Sequence, residues 1–470
     1  MKGKMFMART IKRRLVCGAI AAVMLVGMLA GCGQKQGDGD QITLKIGGWP
    51  APENNQEQYD YYQSTLEKLA EKHPNLAVET DEYSYDIQSF LPRATSGLNP
   101  DLFFVPLTEP KKLISTGYIQ DISAELSARG YDKAIDEQFL NIVSQDGKIY
   151  GVPYSAYMMG LMCNVDIFKQ AGLVDENGVP KYPQTYTELA ETAKTIKEKT
   201  GQAGFAIPST GTEGGWILMN IAWSNGVNFM EEQPDGTWKS TFDSPEMYET
   251  IQYIKDLRWK YNCLPDNVLN GQSEVYKQFG TNQAAMIISS DVVFDTFTQT
   301  YKMDRNKLSY TILPAGSKDR CAQIGGSAYL ISEGASEEQI NASLDWLEIM
   351  GYGAELSEEL LAQKEEAIKI SADAGNVVTR PMLSLWKNKE YTQKINELYD
   401  KYTNVDPKLW KVDQNMVTLR KEEPMAAQQL YSILSSVMQA VLTDENADIN
   451  ELISTASEQF QKDALNKLEN

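Results

Sequence analysis

The 470-residue sequence predicts an α/β fold with largely parallel sheets. Three observations carry that expectation. Strand signals alternate with helical ones along the chain, one strand signal is a short apolar run, and the helical segments bring their own start signals. In order, Ile42-Thr43-Leu44-Lys45-Ile46 has the period-2 pattern of a strand and runs into Gly47-Gly48-Trp49-Pro50. A helix is expected from about Glu57 to Lys72, closed by His73-Pro74. Asp101-Leu102-Phe103-Phe104-Val105 reads as a strand buried on both faces. Ser244-Pro245 starts a helix with Pro in its first turn, and Met247, Ile251, Ile254, Leu257 and Tyr261 follow as one apolar stripe. Ser336-Glu337-Glu338-Gln339 is a capping box that opens a helix through Leu344 and Leu347.

The first 32 residues address the protein outward. Six basic residues precede an uncharged apolar run from Leu15 to Ala30, which ends in Leu29-Ala30-Gly31-Cys32 and turns polar at once. A positive segment, a short apolar run and small residues at a cut site describe an export signal. The run is short of the roughly 20 residues a spanning helix needs. Leu-Ala-Gly-Cys resembles the bacterial lipobox, which implies that residues 1–31 are removed, that Cys32 carries a lipid and that 32–40 form a tether. An ordinary secretory signal whose cut happens to precede a Cys is the alternative. Removal of 1–31 takes the formal charge of −20 to about −26, because that segment holds six basic and no acidic residues. So acidic a chain is not expected to follow a nucleic-acid backbone, which demands clustered Lys and Arg.

Composition also narrows the chemistry. Cys163, Cys263 and Cys321 remain beyond the signal, with no CxxC spacing; they are either buried free thiols or one disulfide and a spare. His73 is the single histidine, so a zinc site built on histidines is excluded by count and a Ser-His-Asp arrangement has no visible partner motif. With 64 acidic residues a pair of carboxylates for glycoside hydrolysis is always available. No phosphate-binding glycine loop follows a strand. Neither catalysis, a metal site nor a cofactor is expected.

Several blocks in order resemble one family. Asn99-Pro100-Asp101-Leu102-Phe103-Phe104 and Gly117-Tyr118-Ile119-Gln120-Asp121 are followed by Gly147-Lys148-Ile149-Tyr150-Gly151-Val152-Pro153-Tyr154. Pro183-Gln184-Thr185-Tyr186-Thr187-Glu188-Leu189 comes next, then Thr241-Phe242-Asp243-Ser244-Pro245-Glu246. Ala284-Ala285-Met286, Leu313-Pro314-Ala315-Gly316 and Ile324-Gly325-Gly326-Ser327 complete the series. Over about residues 42 to 350 the chain is similar to family 1 extracellular solute-binding proteins, the maltodextrin-binding-like lipoproteins of ATP-binding-cassette importers. The last 120 or so residues match only loosely.

The resemblance implies a two-lobed, type II periplasmic-binding-protein-like fold, each lobe a mostly parallel sheet flanked by helices, with ligand in the cleft between them. Lobe 1 is expected from 41–153 and 324–352, and lobe 2 from 154–323 and the helical 353–470. Crossings then fall near Pro153-Tyr154, Gln323–Gly325 and Gly351–Gly353. The implied partners are a carbohydrate, the permease subunits and the membrane through Cys32; the protein is expected to be a monomer. Open α/β sheets place ligands beyond the carboxyl ends of their strands, which agrees.

Sugars present apolar faces rimmed by hydroxyls, and the chain holds 8 Trp and 24 Tyr to stack on them. Trp49 lies just past the first strand and Glu109 just past the Asp101–Val105 strand. Tyr154 and Tyr157 lie at the first crossing. Trp216 follows Gly214-Gly215, a pair that lets backbone approach a ligand. Asp291 stands where the family commonly carries an aromatic, and Trp386 and Tyr431 are candidates in the last segment. Core packing or solvation is the competing role for each. Three functions remain open: an importer's carbohydrate-binding lipoprotein, the same fold binding another solute such as a peptide or polyamine, and a surface enzyme acting on polysaccharide.

Overall fold

The computed structural model describes residues 42–53, 56–86 and 88–467; Cys32, the export signal and the tether lie outside the described residues. Nine strands form the main sheet: β1 (Ile42–Ile46), β2 (Leu76–Thr80), β3 (Leu102–Pro106), β4 (Gly151–Asn164), β5 (Met286–Ser290), β6 (Leu308–Ile312), β7 (Cys321–Ile331), β8 (Trp410–Lys411) and β9 (Thr418–Arg420). The spatial order is β8-β6-β4-β7-β3-β1-β2, with β5 beside β4 and β9 beside β7. The helices that position the candidate site are α1 (Gln56–Lys72), α2 (Glu213–Asn225), α3 (Pro245–Trp259), α4 (Glu337–Leu347), α5 (Glu358–Asp373), α6 (Lys389–Tyr402), α7 (Ala427–Thr443) and α8 (Ile449–Asp463).

This is the two-lobed fold, with a mixed sheet. β2, β1 and β3 are parallel, as the buried apolar character of Leu102–Val105 requires. β4 carries the chain out of this first lobe and β7 brings it back, so the two run oppositely and pair antiparallel. The 14 residues of β4 pair with β7 through Met158 and with β5 and β6 from Met159 onward, so one strand belongs to both lobes. At Tyr154 the register slips: Ser327 faces Ser155 while Ala328 faces Pro153, leaving Tyr154 as the extra residue of a bulge.

The helix signals act as read. Ser244 accepts from the Met247 amide with Pro245 in the first turn, and Ser336 and Gln339 close a reciprocal capping box. Met247, Ile251, Ile254 and Leu257 are fully buried along α3, but the helix ends at Trp259. Tyr261 lies beyond it, its amide turned back to the Asp256 carbonyl. Cys163, Cys263 and Cys321 are buried and free. The imidazole of His73 meets Asp345 at 2.7 Å, and Asp345 also takes Arg129 at 2.9 Å, pinning α1 to α4. Among the described residues no helix is long and apolar enough to cross a membrane.

The glycine pair before Trp216 has a different purpose from the one expected. α2 lies against α7, and a Cβ on Gly215 would stand 2.2 Å from the carbonyl oxygen of Tyr431 and 2.5 Å from its Cα. The Gly215 amide donates to the Ser435 hydroxyl at 2.8 Å. Gly215 therefore lets two helix backbones touch, and Gly214 lies against the Ser435 hydroxyl and the Ser209 backbone, so the pair serves packing. Gly215→Ala should push these helices apart and lower stability by about 1–3 kcal/mol, the usual cost of overpacking. Urea unfolding of the variant checks it; an unchanged midpoint would mean the helix contact is not tight.

Candidate functional site

The carboxylate of Glu422, four residues beyond the start of β9, gathers much of what the sequence singled out. The Trp216 indole nitrogen donates to its Oε1 at 3.0 Å and the Tyr431 hydroxyl to its Oε2 at 2.7 Å. Trp216 and Trp223 are separated by seven residues on α2, so both indoles point the same way. The second donates to the neighbouring carboxylate, Glu423, at 2.9 Å, and Arg420 lies 5.1 Å over its ring. Trp216 stays half-buried, while Tyr431 is only 1% exposed and acts by holding Glu422 in place.

Glu109 faces this cluster from the first lobe. It is 8% exposed and begins the short helix Pro110–Ser115, with the Tyr85 hydroxyl donating to it at 2.6 Å and the Thr108 hydroxyl at 3.1 Å. Burial, and next the two indole and phenol donors, set the Glu422 titration against each other. Burial dominates and raises it, and the nearby charge of Glu109 raises it further. Gln323, buried on β7, is bound by its amide to the Asn220 side chain at 2.8 Å, and its own side chain helps to hold the Glu422 charge.

Tyr157 joins the cluster at the crossing. Its ring lies over Gly325 of β7, where a Cβ would come within 2.3 Å of the Tyr157 oxygen. Burial raises its phenol, and Glu422, Tyr276 and Asp291 add to that. Asp291 follows β5. Among the described residues its buried Oδ1 has no hydrogen-bond partner, and burial pushes the carboxyl up to about 6, with the Met382 and Val292 amides offsetting only part. Its charge also acts on Tyr399 of α6.

Met382 and Tyr399 border a cavity of about 1090 Å³ that reaches the crossing strand at Tyr154 and Ser155. The Tyr154 ring stands 4.6 Å from Tyr329 and 5.1 Å from Tyr352, forming an aromatic wall. Trp386 also borders this cavity, 4.8 Å from Tyr391 and 6.5 Å from Tyr131. Its segment hydrogen-bonds the first lobe: the Asp136 amide donates to the Leu385 carbonyl at 2.7 Å and the Lys387 amide to Ala134 at 3.0 Å. Residues 353–470, expected wholly in lobe 2, thus also clasp lobe 1.

The structure brings together Glu109, Tyr157, Trp216, Asp291 and Tyr431, and sets Tyr154 and Trp386 along the adjoining cavity. It does not bring Trp49, which is 4% exposed and packed 6.2 Å from Trp346 and 5.1 Å from Tyr62 in the core of the first lobe. The turn past β1 folds back onto α1 and α4, so the position after a strand end is not sufficient to reach a cleft. Glu422, Glu423, Gln323, Tyr276 and Tyr352 were missed. The spacing of Trp216 and Trp223 was the one signal that two partners awaited them. Among the described residues no group of three or more His, Cys, Asp and Glu side chains could hold a metal ion.

A carboxyl whose folded pKa stands above its unfolded value binds its proton more tightly when folded. Asp291 therefore costs stability as pH rises from about 4 to about 6, and the deficit persists above that range. Asp291→Asn should stabilise the unliganded protein at pH 7 by up to about 3 kcal/mol, one pKa unit being worth about 1.4 kcal/mol. Below pH 4 the gain should vanish. Thermal melting of both proteins at pH 3.5 and pH 7 checks this, and equal gains at the two pH values would contradict it.

The family profile described as bacterial extracellular solute-binding protein matches residues 53–348. The chain is similar to the arabinooligosaccharide-binding protein of Bacillus subtilis (strain 168), 22% identical over 332 residues, which span 68% of this chain and 72% of that one. Among solved structures, an ABC transporter solute-binding protein of Thermotoga lettingae bound with α-D-tagatose matches with a TM-score of 0.65 and 19% identity over 90% of this chain and 98% of that one. Maltose-bound MalE3 of T. maritima matches with a TM-score of 0.62 and 17% identity, over 89% and 99%. These two share the fold, and the family match spans well over half of this chain. The chain belongs to the bacterial extracellular solute-binding proteins.

Proposed function

We propose that this protein is the carbohydrate-binding component of an ATP-binding-cassette importer, capturing an oligosaccharide between its lobes and presenting it to a membrane permease. The observation that carries the reading is the half-buried Trp216 ring, oriented through its nitrogen by Glu422, a carboxylate that also feels the charge of Glu109 and acts on Tyr157. An aromatic platform beside fixed carboxylates suits a ligand with apolar ring faces and hydroxyl edges. The relative from Bacillus subtilis bears an arabinooligosaccharide-binding name, and solved structures of the fold hold tagatose, maltose and acarbose. Hinge movement at 153–154, 323–325 and 351–353 would close the lobes, the usual motion of such folds. The Leu29-Ala30-Gly31-Cys32 run supports a lipid anchor at Cys32 on the outer face of the membrane.

A melting-temperature screen against mono- and oligosaccharides, amino acids, peptides and polyamines tests the reading, since ligand at 100 times its dissociation constant stabilises by about 2.7 kcal/mol. A response to polyamines or peptides with none to any sugar would refute it. For the responding sugar, Trp216→Ala should weaken binding by about 2 kcal/mol or more, roughly 30-fold, as loss of a central aromatic anchor does. Trp216→Phe, which keeps a ring but not the bond to Glu422, should fall between. Titration calorimetry reads both, and unchanged affinity in Trp216→Ala would remove Trp216 from the site.

The anchor has its own test. Cys32→Ala should release the protein from the membrane fraction or leave an unprocessed precursor. A mature wild-type N-terminus that is not a modified Cys32, seen by mass spectrometry, would overturn it.

A further inference from the structure

Two cationic side chains border the 1090 Å³ cavity, and among the described residues only one of them is paired. Arg380 is bound through its Nε to Asp400 at 2.6 Å and through a second nitrogen to the same carboxylate. Lys364 projects from α5 into that cavity, its Nζ 3.8 Å from the Cβ position of Gly351 at the third crossing. No hydrogen bond or ion pair holds it among the described residues. Its neighbour Glu365 is committed elsewhere, to Lys401 at 3.1 Å and the Tyr402 hydroxyl at 3.1 Å. Glu348, near the same crossing, is taken by Arg129 at 2.9 Å.

A half-buried ammonium without a counter-charge is costly, because no carboxylate repays the hydration it has lost. Burial pushes the Lys364 amine down to about 8, with no carboxylate working against it. The chain has 64 acidic residues and a net charge of −20, so a missing partner is not for want of carboxylates. Trp410 borders the same cavity, and its buried indole nitrogen has no acceptor among the described residues. Tyr154 and Tyr352, whose rings are 5.1 Å apart, border the same cavity. A positive group, an idle donor and aromatic faces together ask for a ring that carries an anion.

We propose that the cavity receives an acidic sugar, a uronate-type residue whose carboxylate pairs with Lys364 while its ring lies against the Tyr154–Tyr352 wall. This rests on the carbohydrate reading above and narrows it. The anion needed is supplied by ligand, and bound carboxylate replaces the hydration that the amine has lost.

The test is titration calorimetry of the purified protein with uronate oligosaccharides, the neutral oligosaccharides of the same linkage and length, sugar phosphates, and acetate or inorganic phosphate alone. Wild type should bind at least one uronate oligosaccharide ten-fold or more tighter than its neutral counterpart, with an advantage that shrinks as salt is raised. Lys364→Met should remove that advantage and leave neutral-sugar affinity within about two-fold, whereas Lys364→Arg should keep most of it. Without ligand, Lys364→Met should melt at or above wild type. Neutral sugars binding as well as or better than uronates would overturn the proposal while leaving the carbohydrate reading standing. Absence of any sugar binding, with another solute bound, would sink both. A preference for sugar phosphates over uronates, or for the free anions alone, would refute the uronate assignment. So would an unchanged uronate advantage in Lys364→Met, or a collapsed melting temperature in that variant.

Discussion

The antiparallel pairing of β4 with β7 is the contact on which the rest of the molecule depends. A chain that leaves one lobe and must return to it does so most economically by pairing the outgoing strand with the returning one, which satisfies the backbone of both crossings. That pairing carries the parallel strands β1–β3 on one side and β5 and β6 on the other. It also brings Tyr157 over Gly325 and stations Gln323 beneath Glu422, so residues far apart in sequence meet at the crossing. The bulge at Tyr154 turns an aromatic toward Tyr329 and Tyr352 where the strand passes between lobes. Irregular pairing at this point gives the strand a local bend without breaking the sheet.

The second organising feature is the treatment of negative charge. Glu109, Glu422 and Glu423 are served by neutral donors, namely tyrosine hydroxyls, a threonine hydroxyl and two indoles, with Arg420 near the last of them. Neutral donors orient a carboxylate without cancelling its charge, so the group keeps acceptor capacity for a further partner. Asp291 has still less support within the protein. Such an arrangement is poor for stability and suited to recognition, where hydroxyl donors arrive with the ligand. Lys364, in the cavity bordered by Tyr154, is the complementary case, a donor left without an acceptor among the described residues.

Rigid packing holds these groups still. α2 and α7 touch through Gly214 and Gly215, which fixes Trp216 relative to Tyr431 and hence both donors relative to Glu422. The clasp of residues 383–387 onto 134–136 ties the last segment to the first lobe beside Trp386. Aromatic residues divide accordingly. Trp49 and Trp346 fill the first lobe's core, Tyr154 and Tyr157 lie on the strand that crosses between lobes, and Trp216 stays half-buried beside Glu422.

Much of the architecture was legible in the sequence because its signals are local. The alternation of Ile42–Ile46, the apolar Leu102–Val105 run, the Ser244-Pro245 start and the Ser336–Gln339 capping box each depend on neighbours within a turn or a strand. The order of short blocks carried the family, and charge and histidine count set aside several chemistries. The site was legible only in part. Position along the chain points to Tyr157, Glu109 and Trp216, which the fold gathers around Glu422, but it points equally to Trp49, which packs in the core, and Gly215 serves a helix contact. Glu422, Gln323 and Lys364 gave no sign. Their roles depend on which side chains from distant segments lie within about 3 Å, and on which polar atoms burial leaves without a partner. Sequence by itself determined the elements and the fold class, since propensity, capping and periodicity act over a few residues. Only tertiary structure decided the site, because burial and unmet hydrogen-bonding capacity exist only once the lobes have packed.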